Sequence, residues 1–282
     1  METALFAFAE CAEPAARLAQ QLGITLREVS VRHFPDGESL VRVEPWEGTA
    51  LLYRSLDDPN ARLVELLLAA AALRENGARR VMLIAPYLAY MRQDIAFNPG
   101  EAVSQRVIAG LLADRFDGVL TVDPHLHRIA TLSEVMPGTD AICLTAAPLL
   151  SAALADVSGA VLVGPDSESR QWVTAIAEPL GLEVLVGEKV RSGDRQVAIR
   201  IPGIERVAGC PAVLVDDVVS SGQTLIEAAH LLRQAGATRI EALATHCLAR
   251  TADLARMEEA GIAALRFTDS VGRSGGSISL AS

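Results

Sequence analysis

Val213-Leu-Val-Asp-Asp-Val-Val-Ser-Ser-Gly-Gln-Thr-Leu225 begins as an apolar run of strand length and ends as the first turn of a helical pattern. The run leads into two carboxylates, Asp216 and Asp217. The hydroxyl-rich loop Ser220-Ser221-Gly222-Gln223-Thr224 follows, and then Leu225, Ile226, Ala229 and Leu232 recur at helical spacing. Strand, loop and helix start gather backbone N–H groups and the positive end of a helix around one point, a geometry that holds a phosphate. Ser220, Ser221 and Thr224 add hydroxyl donors, and Gly222 lets the backbone close on the anion. The acidic pair would repel that anion, so it suits sugar hydroxyls or a hydrated Mg²⁺ instead. A phosphorylated sugar satisfies both halves. Taken alone, a surface turn capped by hydroxyls uses the same residues for local reasons.

Outward from this stretch the chain alternates strand and helix patterns. In the second half, Leu149–Ala155, Ser169–Leu180 and a stretch near Ala252–Ala260 read as helices. Ala160–Gly164, Glu183–Val186, Val197–Ile201, Ala212–Val215, Glu241–Thr245 and Ala264–Phe267 read as strands. The first half repeats the alternation. Its strands are Ala4–Ala9, Thr25–Val31, Ser39–Val43, Ala50–Arg54, Arg80–Ala85, Gly118–Val122 and Ala141–Leu144. Its helices are Glu13–Leu22, a long one from about Asp57 to Asn76, and Val103–Phe116. Such alternation predicts an α/β fold of parallel sheets covered on both faces. Two halves of similar length predict duplicated domains, 1–145 and 146–282, without a residue-level repeat. The Gly- and Ser-rich tail from Ser270 is expected to be loose.

Composition excludes several classes. The net charge is -10 and no basic cluster occurs, against a nucleic-acid backbone as partner. Half the residues are hydrophobic but only 4% are aromatic, a mix suited to helices packed on buried strands. Cys11, Cys143, Cys210 and Cys247 stand far apart and read as buried thiols of a reducing compartment. No leader pattern and no run of membrane-spanning length is seen, so a cytoplasmic protein with no membrane partner is expected. Walker A, kinase Gly-rich and GxGxxG loops are all missing, so any phosphate chemistry needs another anion cradle, and Ser220–Thr224 offers one.

Further motifs carry candidate chemistry. Tyr87-Leu-Ala-Tyr-Met-Arg-Gln-Asp94 follows a strand, and Arg92 with Gln93 suits a polyphosphate, although a solvated surface loop reads equally well. His33-Phe-Pro-Asp-Gly-Glu38 is a turn. His125 and His127 form an H-x-H that fits a zinc half-site, a capping cluster or core histidines. His33, His230 and His246 are read as structural. Glu188-Lys-Val-Arg-Ser-Gly-Asp194 is a polar loop, usually only a solvated face.

The Asp-Asp stretch resembles the phosphoribosyl-diphosphate loop of type I phosphoribosyltransferases, with Ser220 where the commonest form has aspartate and Gln223 where it has glycine. Together the motifs resemble the ribose-phosphate pyrophosphokinase (phosphoribosyl-diphosphate synthetase) family, and the match runs in order from the first strand to about Asp269. That resemblance implies two tandem phosphoribosyltransferase-type domains, the first binding ATP and the second ribose 5-phosphate, with the active site between them at a subunit contact. It implies transfer of the diphosphate of MgATP to the anomeric hydroxyl of ribose 5-phosphate, giving 5-phosphoribosyl 1-diphosphate and AMP. By resemblance, Phe34, Asp36 and Glu38 grip adenine from the next subunit of a homo-oligomer, while Arg92, Gln93 and Asp94 hold ATP. His125 and Asp166, in Gly164-Pro-Asp166, would contact Mg²⁺. The family's flexible loop would carry Lys189 and Arg191 over the transferring group; with Arg92 these are the candidate catalytic residues. Asp216 and Asp217 would take the ribose hydroxyls or a bridging Mg²⁺, and Ser220, Ser221, Gly222, Gln223 and Thr224 the 5-phosphate. By the same resemblance a compact variant is expected, since longer members continue into a helix beyond the position of Ile278-Ser-Leu-Ala281.

Two alternatives stay open on the sequence. A phosphoribosyltransferase would use the same ribose loop but has no need of the Arg92-Gln93-Asp94 and Phe34–Glu38 segments. A non-catalytic regulatory relative would bind nucleotide without turnover; Pro124 (leucine in the family), Ser220 and Gln223 keep it open, while His125, Asp166, Lys189 and Arg191 oppose it.

Overall fold

The computed structural model describes residues 2–126, 128–192, 196–272 and 277–281, with 190–192 and 196–198 described by backbone alone. His127 lies outside the described residues. The chain divides into two compact units, Met1–Thr145 with Ser270–Arg273 and Ala281–Ser282, and Ala146–Asp269 with Ser274–Leu280.

In the first unit the elements run β1 (Thr3–Phe8), α1 (Ala12–Leu22), β2 (Thr25–His33), β3 (Ser39–Arg42), β4 (Thr49–Tyr53), α2 (Pro59–Glu75), β5 (Arg80–Ala85), α3 (Ser104–Ala113), β6 (Gly118–Val122) and β7 (Asp140–Leu144). They form a sheet of order β3-β2-β1-β4-β5-β6-β7. All pairings are parallel except β2 with β3. The period of two in each strand explains its two buried faces. Ala4, Phe6 and Phe8 pack with Leu63, Leu66 and Leu73 of α2 and Leu112 of α3. The alternate residues Leu5 and Ala7 pack with Ala15 and Ala19 of α1. Each large side chain so buried contributes about 1.5–3 kcal/mol, and truncating Phe6 to alanine would cost about 3–5 kcal/mol.

The second unit contains α4 (Ala147–Ala152), β8 (Val161–Gly164), α5 (Arg170–Ala177), β9 (Glu183–Val186), β10 (Glu188–Ser192), β11 (Gln196–Arg200), β12 (Pro211–Val219), α6 (Gln223–Gln234), β13 (Arg239–Cys247), α7 (Thr251–Glu259) and β14 (Leu265–Phe267). Five strands form a parallel sheet of order β14-β13-β12-β8-β9. Leu225, Ala229 and Leu232 of α6 pack with Val163, Leu214 and Ala244 of the sheet. The alternate strand residues Leu162, Val213 and Val215 are equally buried, and α5 lies against β8, β9 and β12.

Both sheets reverse their strand order once, between β1 and β4 in the first unit and between β8 and β12 in the second. Crevices at the carboxyl ends of such a pair are where open α/β sheets take ligands.

Four sequence expectations need correction. The polar segment from Glu188 is strand β10, paired antiparallel with β11 through Glu188↔Arg200 and Lys189↔Ile199. Its charge density hides a strand whose partner supplies the backbone bonds. Strand β12 does not stop at Val215 but carries both aspartates to Val219, because β13 keeps pairing as far as Val219↔Cys247. The tail is not loose where it is described. Asp269 N–H donates to Ile278 O at 2.9 Å, Ile278 N–H to Phe267 O at 3.2 Å and Leu280 N–H to the Asp269 carboxylate at 2.8 Å. Finally, Cys143 is exposed, since it lies on the edge strand β7; Cys11 and Cys247 are buried.

Candidate active site

In the second unit the reversal crevice is lined by acids. Gly164 ends β8, and Asp166 caps the short 3-10 turn that follows, accepting from Glu168 N–H at 3.0 Å through Oδ1. Its other oxygen, Oδ2, meets Lys189 Nζ at 2.7 Å. Gly187 makes this meeting possible: its N–H donates to Gly164 O at 2.8 Å, and any side chain there would strike the Pro165 carbonyl. Burial pushes the Lys189 ammonium down in pKa, but the hydrogen bond and charge of Asp166, with Glu168 and Asp216, outweigh it and leave the group above its ordinary value. Lys189 therefore stays charged across neutral pH.

Across the reversal, Asp216 accepts from Asp217 N–H at 3.0 Å, and Asp217 accepts from Val218 N–H at 2.8 Å. Desolvation, and then the charges of Asp217 and Asp166, raise Asp216 well above the ordinary carboxylate range. Three carboxylates thus gather at the carboxyl ends of β8 and β12, and the nearby lysine offsets part of their charge.

The hydroxyl loop leads from β12 into α6. Gly222 is left-handed at φ 72°, and a Cβ there would lie 2.5 Å from Met257 Sδ, so both backbone and packing demand glycine. Ile226 N–H is bonded to Gly222 O at 2.9 Å. The N–H groups ahead of it belong to the unclosed first turn, with the helix dipole behind them. Ser220 and Ser221 are exposed and Thr224 half-buried at this opening. Gln223 is turned back along α6 and donates to Glu227 at 2.9 Å. Arg256, which the sequence reading missed, reaches from α7 to Ser221 O at 3.2 Å and to Asp253 at 2.7 Å. It brings a guanidinium to the hydroxyl loop from 35 residues away, a separation that carries no local pattern.

In the first unit the segment after β5 is fixed by its neighbours. Tyr87 O accepts from Leu56 N–H at 2.9 Å, Tyr90 takes φ 65° with its hydroxyl on Asn60, and Met91 is buried. Arg92 is left exposed. Gln93 accepts from Ser104 through its side chain and from Gln105 N–H through its backbone at 3.2 Å. Asp94 is buried and receives Arg128 Nη1 at 2.5 Å, a second cation that sequence spacing did not reveal. His125, half-buried, follows β6 after Asp123, whose φ is 38°. Phe34, Asp36 and Glu38 are exposed on the hairpin joining β2 to β3, with Phe34 N–H donating to Glu38 O at 2.8 Å. Lys189, Asp166, Asp216, Asp217 and the hydroxyl loop therefore share the second unit. Arg92, Gln93, Asp94, His125 and the hairpin residues belong to the first. The side chain of Arg191 lies outside the described residues.

Comparisons with known proteins follow the same division. The N-terminal domain of ribose phosphate pyrophosphokinase matches residues 3–115, and the phosphoribosyl transferase domain matches residues 147–261. Ribose-phosphate pyrophosphokinase of Methanopyrus kandleri is 37% identical over 90% of this chain and 88% of its own. The chain belongs to the ribose-phosphate pyrophosphokinase family. The Pyrococcus furiosus member is 33% identical over 83% of each chain. Phosphoribosylpyrophosphate synthetase from Mycobacterium smegmatis superimposes with a TM-score of 0.83 at 28% identity, covering 96% of this chain and 90% of that one. Within this family the fold is two tandem phosphoribosyltransferase-type α/β domains: the alternation implied the duplicated α/β plan, and the resemblance the phosphoribosyltransferase type. Among the described residues no helix is long and apolar enough to cross a membrane.

Proposed function

We propose that this chain transfers the β,γ-diphosphate of ATP to the anomeric hydroxyl of ribose 5-phosphate, releasing AMP and 5-phosphoribosyl 1-diphosphate. The observation that carries the reading is Lys189 held 2.7 Å from Asp166 beside the Asp216-Asp217 pair and the phosphate-type loop. A cation, a set of acids and an anion cradle at one sheet edge suit a phosphorylated sugar and a transferring phosphoryl group. The anomeric hydroxyl releases its proton to solvent as its oxygen bonds to the β-phosphorus, and the bond between that phosphorus and its oxygen bridge to AMP breaks, the electron pair leaving with AMP. A loose transfer of this kind depends on position and charge more than on a strong base.

Each residue then has a part. Ser220, Ser221, Gly222, Gln223 and Thr224 receive the 5-phosphate, and Asp216 and Asp217 the ribose hydroxyls. Arg92 and Gln93 orient the ATP phosphates, with Asp94 placing their segment. Phe34, Asp36 and Glu38 grip adenine across a contact between copies of the chain, which makes the protein a homo-oligomer. Lys189 and Arg191 spread positive charge over the phosphoryl oxygens.

Among the described residues no group of three or more His, Cys, Asp or Glu side chains is placed to hold a metal ion. Mg²⁺ needs no such cage, because it keeps several waters and takes one or two carboxylates plus substrate phosphates. The hard oxygens of Asp166 fit it, with His125 as a second contact. Bound there with ATP, the ion would neutralise charge on the phosphate chain.

The intact Arg92-Gln93-Asp94 segment and hairpin do not favour a phosphoribosyltransferase, and the Lys189–Asp166 pair does not favour a purely regulatory relative. AMP release from ATP and Mg²⁺, measured with and without ribose 5-phosphate, tests the reading. AMP formed only with the sugar supports it; tight ATP binding without AMP overturns it.

A further inference from the structure

Glu65 belongs to none of the motifs, yet it is a buried acid on which the side chains of His33, Ser39 and Arg54 converge. It lies on α2, and its side chain is 7% exposed. Oε1 accepts from His33 Nε2 at 2.8 Å and from Ser39 Oγ at 3.0 Å. His33 is the last residue of β2 and Ser39 the first of β3. One carboxylate oxygen therefore holds both roots of the hairpin that presents Phe34, Asp36 and Glu38.

The other oxygen, Oε2, accepts from Arg54 Nη2 at 2.6 Å. Arg54 is itself immobilised: Nε donates to Glu10 at 2.8 Å, Nη1 to Arg62 O at 3.0 Å, and its guanidinium lies 3.7 Å from the Phe8 ring centroid. Phe8 ends β1 and Arg54 follows β4, so this network sits at the sheet's own strand-order reversal. In the second unit the corresponding crevice holds the acids and lysine of the candidate site. In the first, buried ion pairs fill it and extend outward to the hairpin.

We infer that Glu65 is a positioning residue for nucleotide recognition, a clasp that fixes the hairpin's approach angle by tying both its roots to the sheet through Arg54. The inference rests on the reading that Phe34, Asp36 and Glu38 contact adenine. Physically, a two-stranded ribbon at a sheet edge is a poor lever unless its base is fixed. Two hydrogen bonds to one ionised oxygen fix the two strands relative to each other and to the helix, and bonds to charged acceptors are the stronger kind.

The test compares Ser39→Ala and His33→Ala, which leave the Glu65–Arg54 pair in place, with Glu65→Gln, in the full-length protein. The expected result is a KM for ATP raised about tenfold in each, the worth of one charge-assisted hydrogen bond, with kcat and the KM for ribose 5-phosphate within about twofold of wild type. Hydrogen exchange without substrates gives a second readout. The Phe34 and Gly37 amides, which donate to Glu38 O at 2.8 Å and Phe34 O at 2.9 Å, should exchange faster, with the change confined to residues 33–39. Equal rises in both KM values, or faster exchange spread through α2 and the sheet, would assign Glu65 a merely structural role and overturn the inference. Unchanged exchange in all three variants overturns it as well. Should the wild type form no AMP at all, the proposed activity falls, but the exchange comparison still decides the clasp.

Discussion

Replacing Lys189 with alanine should move two observables in opposite directions. Lys189 Nζ lies 2.7 Å from Asp166 Oδ2, with the lysine side chain 48% exposed and the aspartate 12%. A pair half open to water contributes about 0.2–1 kcal/mol, because solvent and salt screen it and the lysine gives up rotamer freedom. Its removal leaves Asp166, Asp216 and Asp217 with less compensating charge. Affinity of the substrate-free protein for Mn²⁺, a paramagnetic stand-in for Mg²⁺, should therefore rise by up to about fivefold, read by the loss of the free-ion resonance in a spin-resonance titration. Turnover should respond the other way. A preorganised cation aimed at developing phosphoryl charge is worth about 2.7–4 kcal/mol, so kcat should fall about 10²–10³-fold. KM values should hold nearly steady if the contact forms only in the transition state. Lys189→Arg should restore the ground-state pair more fully than the rate, since a planar fork does not reproduce a compact ammonium. A kcat lowered less than tenfold, or Mn²⁺ bound more weakly without the lysine, would refute this reasoning.

Gly222→Ala forces an L-residue to φ 72° and drives its Cβ to 2.5 Å from Met257 Sδ, so calorimetry should show a loss of about 2–4 kcal/mol, and ribose 5-phosphate should bind more weakly. Gly187→Ala should push the Lys189 arm off Asp166 by striking the Pro165 carbonyl; its kcat should approach that of the lysine variant with ATP binding intact. Arg256→Ala removes the donor on Ser221 O and should raise the KM for ribose 5-phosphate by about three- to tenfold without changing that for ATP. Glu65 supplies the pH test. Burial pushes its carboxyl up, but Arg54, His33 and Ser39 hold it below its ordinary value of 4.5. Its stabilising share is complete above that value and lost as pH falls through the lower folded one. The stability difference between wild type and Glu65→Gln should therefore be constant near neutrality and shrink below about pH 4.5 in denaturant titrations.

The local order of the chain was written plainly in its residues. Apolar runs such as Leu5–Phe8 and Val213–Val215 have no polar face and are of strand length, which suits strands buried on both sides, and the helical patterns between them imply parallel sheets. The strand, loop and helix start of the Asp-Asp-to-Thr224 stretch are legible because they are built from contiguous backbone. The β10–β11 pairing was not legible, since charged side chains mask a strand whose hydrogen bonds come from a partner rather than from its own sequence.

What the sequence by itself determined, then, was the type of most elements, β10 excepted, the duplicated α/β plan and the motifs whose chemistry lies within a dozen consecutive residues. What only the tertiary structure decided was who faces whom. Examples are Lys189 on Asp166, Arg256 on Ser221, Arg128 on Asp94, and Glu65 between His33, Ser39 and Arg54. Those partners are separated by many residues of chain, and strand order brings them together. Periodicity reports which face of an element is buried, but a charge pair depends on which two elements become neighbours, and that is settled by the packing of the whole sheet.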